Sequence, residues 1–283
     1  MAELLKGAAV AAALCEELTE RVRALGEKGV VPRLAIVRLG EEPGDLAYER
    51  GAVKRCGAIG IEVEHVVLPR EASQEELLAQ IDRINQDNNV HGCLILRPLP
   101  KQIDEVAVCS RLAPEKDVDS VTEGSMSFVY SGKGKGFKPC TAQAVLEILD
   151  HYQVPLVGAR VAVIGRSLVI GKPLSLMLQA RNATVTMCHT KTKDMAAICR
   201  EQDIIVAAAG HIGTVDGSFV RAGQVVIDVG TNMGPDGKLT GDVVFSEVEP
   251  VVAAITPVPG GVGAVTTTVL ASHVVEAAEK AAK

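Results

Sequence analysis

Val161-Ala-Val-Ile-Gly165-Arg-Ser-Leu-Val-Ile-Gly171-Lys-Pro173 is a β-branched apolar run that ends on a glycine and leads to a second glycine, a lysine and a proline. The first four residues read as a buried strand. Pro173 suits a first helical turn, where its missing N–H has no helical partner. Between strand and helix the glycines allow a tight turn that can approach a phosphate, and the helix start offers free N–H groups and a positive dipole end. Arg166 and Ser167 add a guanidinium and a hydroxyl that can hold a ribose phosphate. The P-loop pattern fails here, because five residues separate the glycines and Pro173 stands where a magnesium-binding hydroxyl belongs. The G-x-G-x-x-G fingerprint is incomplete as well, so an ordinary turn between strand and helix is the plain alternative.

Outward from this turn the same alternation recurs. Downstream, the pattern predicts strands at 183–187, 203–207 and 224–229, helices at 172–181 and near 193–200, and a terminal helix from about 265. Upstream it predicts a helix over 2–28, strands at 34–39, 62–67 and 92–96, and helices near 46–58, 73–86, 103–111 and 141–152. Strands separated by helices imply parallel sheets. The loop Gly132-Lys-Gly-Lys-Gly136 interrupts the rhythm and marks the approach to a domain boundary. The expected fold is α/β with two lobes: residues 1–139, to which the helix 265–283 returns, and residues 140–264.

Composition narrows the partners. The 283 residues carry a net charge of −6, no Trp, three Tyr and four Phe, which disfavours nucleic acid as a partner. Mean hydropathy is +0.22, yet no run of about eighteen apolar residues occurs, so no membrane partner is expected. Seven cysteines form no CxxC pair, which fits a reducing cytoplasm and gives no legible disulfide or metal framework. Cys188 and His189 are adjacent but lack two further ligands, and Cys140 reads as small core.

Eight segments then become specific in their order: Tyr48 with a basic helix after it, Arg97-Pro-Leu-Pro100, Pro114-Glu-Lys-Asp-Val-Asp119, Lys138-Pro-Cys-Thr141, the Gly165–Pro173 turn, Val226-Ile-Asp-Val-Gly230, Gly241-Asp-Val-Val-Phe245 and Thr256-Pro-Val-Pro-Gly-Gly-Val-Gly263. Together they resemble the methylenetetrahydrofolate dehydrogenase/methenyltetrahydrofolate cyclohydrolase family over nearly the whole chain. The resemblance implies a catalytic N-terminal lobe, a Rossmann-like dinucleotide-binding lobe, a folate in the cleft between them, and a homodimer. It implies hydride transfer from 5,10-methylenetetrahydrofolate to NADP, with NAD possible, and hydration of the methenyl product to 10-formyltetrahydrofolate.

Residue by residue, Tyr48 matches the tyrosine that packs on the folate ring, although alone it reads as a surface tyrosine. Asp119 matches the aspartate that hydrogen-bonds the pterin, whereas Asp117 reads as a turn or capping residue. Gly165, Arg166, Ser167, Gly171, Thr190 and Thr231 match cofactor positions, and the first basic and hydroxyl positions favour NADP. Pro257, Gly260 and Gly261 match the loop where nicotinamide and folate meet; a plain Pro-Gly turn is the alternative. The family's lysine four residues after the tyrosine is Ala52 here, and its partner glutamine is Leu96. Lys54 is the expected substitute, although at about 100° per residue it lies roughly 120° around the helix from Tyr48. The double loss leads to an expectation of dehydrogenase activity with weak or absent cyclohydrolase, unless Glu49, Arg50 and Arg97 form a replacement network. Full bifunctionality is the alternative, and a catalytically silent binder is a third reading.

Overall fold

The computed structural model describes residues 1–283. They form two compact units, one of Ala13–Cys140 with Thr267–Lys283 and the other of Met1–Ala12 with Thr141–Thr266. The chain opens with β1 (Glu3–Leu4) and α1 (Gly7–Gly26).

The first unit is built on a parallel sheet of β2 (Arg33–Leu39), β3 (Glu62–Leu68) and β4 (Gly92–Ile95), in the order β3-β2-β4. Ile36 lies opposite His65 on one side and Leu94 on the other. Leu34, Ala35, Ile36 and Val37 are all fully buried, as a central strand covered on both faces requires. Three helices follow the strands in turn: α2 (Pro43–Ile59), α3 (Gln74–Gln86) and α4 (Glu105–Arg111). In α3, Leu77, Ile81 and Ile84 recur at helical spacing and enter the same core as Val37 and Ile95. Its start is fixed by a capping box: Glu76 N donates to Ser73 Oγ at 3.1 Å and Ser73 N donates to Glu76 Oε2 at 2.8 Å. A helix absent from the sequence pattern, α5 (Glu123–Ser131), is capped by Thr122, whose hydroxyl accepts from Ser125 N.

The second unit carries a six-stranded sheet in the order β1-β11-β8-β7-β5-β6, every pair parallel. Its strands, besides β1, are β5 (Arg160–Ile164), β6 (Thr184–Cys188), β7 (Ile204–Ala207), β8 (Val225–Asp228) and β11 (Ala254–Ile255). The connecting helices are α6 (Cys140–His151), α7 (Gly171–Ala180), α8 (Met195–Arg200) and α9 (Phe245–Val248), and α10 (Gly263–Ala281) closes the chain. A small hairpin pairs β9 (Asn232–Met233) with β10 (Leu239–Thr240). From β5 the chain steps outward to β6, then returns to β7 on the other side, so the order reverses beside β5. In such sheets the crevice at the carboxyl ends of the strands, at this reversal, is the place for a ligand.

The structure corrects the N-terminal expectation in two ways. The helix begins at Gly7 rather than at residue 2, because Glu3 and Leu4 pair with Ala254 and Ile255. Residues 1–12 accordingly belong with the second unit rather than with the first. Strands of two residues are too short to leave a periodic signal. No helix is long and apolar enough to cross a membrane.

Candidate active site

In the first unit, α2 presents Glu49, Ala52, Cys56 and Ile59 to the interior. Tyr48 is half-buried on the same helix, and its hydroxyl lies near the carboxyl of Asp119 and the thiol of Cys140. Burial is the main cause, and those two groups the lesser ones, of a phenol pKa pushed well above its ordinary value. The phenol is therefore a hydrogen-bond donor at neutral pH.

Asp119 follows a tight turn over Pro114–Lys116. Its loop is held by Asp117, a fully buried carboxylate that accepts from Val121 N and Thr122 N, each at 2.8 Å. The sequence reading of Asp117 as a capping residue agrees with these bonds. From the other side, Cys140 Sγ donates to the Val118 carbonyl at 3.3 Å, and His273 Nδ1 donates to the same oxygen at 2.8 Å. Burial keeps His273 neutral by lowering its pKa. Desolvation pushes the Asp119 carboxyl up to about 6, opposed by the nearby Arg97 charge and the Cys140 thiol and assisted by Asp117. Arg97, just past β4, is steadied by Glu105: Nη1 donates to Oε1 at 3.2 Å, while Oε2 accepts from Leu99 N at 3.0 Å. The result is a carboxyl balanced near neutrality beside a phenol donor and a cation.

The remaining charged candidates do not join this group. Lys54 is exposed and forms no ion pair, as its angular position on α2 dictates. Glu49 is turned inward, where Oε2 accepts from Arg38 Nε at 2.8 Å and Oε1 meets His65 Nδ1. Arg50 is exposed. Ala52 and Leu96 are buried, so neither position supplies a polar group.

In the second unit the predicted cofactor residues collect at the carboxyl ends of the strands. Gly165 follows β5 with φ +131°, and a Cβ there would lie 2.2 Å from the Ala208 carbonyl oxygen. A Cβ on Gly171 would lie 2.2 Å from the Gly165 carbonyl oxygen. The turn closes by direct backbone contact that leaves no room for a side chain at either glycine. Ser167 Oγ accepts from Ile170 N at 3.1 Å, and Arg166 is exposed with no side-chain partner. Thr190 follows β6 and Thr231 follows β8, both exposed. Past β11, Pro257 is half-buried, Gly260 exposed and Gly261 buried.

An unforeseen carboxylate pair organises these loops. Asp242 accepts from Ala209 N, Gly210 N, His211 N and Asn232 Nδ2 at 2.6 to 2.9 Å. Asp228 accepts from Gly230 N, Asp242 N and Val243 N at 2.9 to 3.0 Å. Burial pushes the Asp228 carboxyl up to about 6 against the pull of these N–H donors. The motifs around residues 228 and 242 were legible, but their mutual contact spans 14 positions and had no local signal. No group of three or more His, Cys, Asp or Glu is arranged to hold a metal ion.

Comparison with known proteins agrees with this arrangement. The profile of the tetrahydrofolate dehydrogenase/cyclohydrolase catalytic domain matches residues 5–119, and that of the NAD(P)-binding domain of the same family matches residues 139–282. The bifunctional protein FolD of Carboxydothermus hydrogenoformans is 50% identical over 281 residues, covering 99% of this chain and 98% of that protein. The crystal structure of the bifunctional enzyme FolD, methylenetetrahydrofolate dehydrogenase/cyclohydrolase, from Campylobacter jejuni superposes with a TM-score of 0.95 at 37% identity, covering 99% of each chain. The Trypanosoma brucei methylenetetrahydrofolate dehydrogenase-cyclohydrolase, complexed with NADP cofactor and inhibitor, has a TM-score of 0.91 at 37% identity, covering 99% of this chain and 98% of that one.

Proposed function

Because the chain belongs to the tetrahydrofolate dehydrogenase/cyclohydrolase family, we propose that it is a bifunctional enzyme, oxidising 5,10-methylenetetrahydrofolate with NADP and hydrating the methenyl product to 10-formyltetrahydrofolate. The observation that carries this reading is the Asp119 carboxyl, held near neutrality beside the Tyr48 phenol. The expectation of weak or absent hydration gives way, because the 50%-identical relative bears the name bifunctional protein.

The residues fit the cofactor. At Gly165 and Gly171 the turn has no room for a Cβ, and a glycine turn leading from a strand end into a helix start suits the approach of a pyrophosphate. Arg166 and Ser167 would hold the additional ribose phosphate of NADP, with Thr190 and Thr231 beside neighbouring strand ends. When bound, the cofactor would supply the acceptor for the hydride of the methylene carbon.

Tyr48 packs on the pterin and Asp119 accepts hydrogen bonds from its ring N–H groups, which fixes the reacting carbon in place. For hydration, water attacks the methenyl carbon and gives one proton to Asp119. The hydroxyl of the adduct then loses its proton as the carbonyl forms and the C–N5 bond breaks; N5 takes up that proton, the formyl group stays on N10, and Asp119 releases its proton to solvent. A carboxyl with a pKa of about 6 is mostly ionised at pH 7 and is basic enough for this transfer. Pro257, Gly260 and Gly261 shape the loop on the nicotinamide side. The same reading carries a cytoplasmic homodimer, tested by sedimentation of the purified chain and by cell fractionation.

Absorbance of reduced nicotinamide with NADP and with NAD tests the oxidation and the cofactor preference. Methenyltetrahydrofolate decay, timed against buffer alone, tests the hydration. Decay at the buffer rate with active dehydrogenase would restore the monofunctional reading, and no nicotinamide reduction with either dinucleotide would overturn both.

A further inference from the structure

The Gly132–Gly136 loop, which the folate reading leaves without a role, forms one wall of a cavity of ≈ 320 Å³ in the first unit. Its apolar lining comes from Val90, Phe137, Ala277 and Ala281. Val90 and His91 precede β4, whereas Arg97 follows it, so the cavity lies at the opposite end of that strand. Six residues of extended chain place the two about 20 Å apart.

The charge at this cavity is lopsided. Lys116, Lys135 and Lys280 line it, against the single carboxylate of Glu115. Lys280 Nζ sits 4.8 Å above the centre of the Phe137 ring and 2.7 Å from Glu276. Lys135 reaches Glu115 from a backbone in which Gly134 and Gly136 both have positive φ. Lys116 is fixed differently, donating to the carbonyl oxygens of Ile84 and Asp87, neutral groups that leave its charge uncancelled. Lys135 and Lys280 are more than half exposed, so their surface ion pairs exchange readily for a stronger anionic partner.

We propose that this cavity is a binding site for a small planar aromatic anion, its ring against Val90, Phe137 and Ala281 and its charge between Lys135 and Lys280. The volume is at the lower end of the range for ligand pockets, which limits the occupant to one or two rings. An apolar body suits the wall of Val90, Phe137, Ala277 and Ala281, and a negative charge suits a lining with three ammonium groups against one carboxylate, beside the neutral polar side chain of Asn88.

The probe is naphthalene-2-sulfonate, a planar two-ring anion, titrated into the full-length protein by isothermal titration calorimetry. One equivalent should bind and remain bound at saturating NADP. Lys135→Gln with Lys280→Gln should weaken binding about tenfold, the equivalent of 1.4 kcal/mol. Ala281→Trp, at an exposed helix end, should fill the cavity and abolish binding. Circular dichroism and dehydrogenase rate should match the parent in both variants. Unchanged affinity in Ala281→Trp, or displacement by NADP, would overturn the site. Loss in Ala281→Trp with unchanged affinity in the double lysine variant would overturn its anionic character.

Discussion

His273 donates from Nδ1 to the carbonyl oxygen of Val118 at 2.8 Å, and Asp119 is the next residue in the chain. A histidine on the last helix thus sets the backbone that aims the site carboxyl. In His273→Leu that buried oxygen keeps only the weak thiol donor of Cys140. Stability should fall by about 1–3 kcal/mol. The KM for methylenetetrahydrofolate should rise severalfold while that for NADP stays constant, as thermal melts and steady-state kinetics can check. His273→Gln, which retains a donor, should be milder.

Acidity should act on the folate side through Asp119. Its carboxyl pKa is raised to about 6, so falling pH protonates it through that value and removes the acceptor. The kcat/KM for methylenetetrahydrofolate should drop about tenfold per pH unit below 6. Arg97→Leu removes the charge that holds this pKa down and should move the acid limb upward. Asp119→Asn should abolish the limb and lower the parent rate. A limb unmoved in both variants would assign it to another group.

Gly165→Ala should strike the cofactor side. The added Cβ meets the Ala208 carbonyl at 2.2 Å and the backbone at φ +131° disfavours any side chain. Backbone strain alone should cost about 1–3 kcal/mol. Titration of NADPH fluorescence should give a Kd raised at least roughly tenfold, the equivalent of 1.4 kcal/mol.

Glu49→Gln should separate stability from catalysis. Its carboxylate and the Arg38 guanidinium are only 8% and 13% exposed, and the substitution leaves Arg38 without its anionic partner. A destabilisation of about 3–5 kcal/mol is expected from such a buried pair. The folded fraction should retain a near-parental kcat for both half-reactions, measured at a temperature well below the variant's melting point.

The sheet strands and the Gly165 turn were readable because each leaves a local pattern: β-branched runs such as Val161–Ile164, glycines at a turn, a proline at a helix start. Tyr48 and Asp119 were identified through resemblance, since a tyrosine on a helix and an aspartate in a loop carry no chemistry by themselves. What escaped depends on distant partners. Glu49 looked available on α2 until Arg38 of β2 and His65 of β3 were found to hold it. The two-residue strands β1 and β11 have too few residues for a period, and their pairing joins positions about 250 apart.

That pairing also bears on how the protein is made. Residues 1–12 are made long before their partners: Glu3 and Leu4 find their neighbours only when Ala254 and Ile255 have been added. At 5–20 residues per second the wait is roughly 12 to 50 s. Through that interval Leu5, Val10 and Ala11, all buried in the finished protein, lack their final packing. The first unit waits longer still, since Thr267–Lys283 complete it. Neither half therefore reaches its final form until residues 254–283 have been made, and a nascent chain stalled before residue 254 should be a chaperone client with neither half closed.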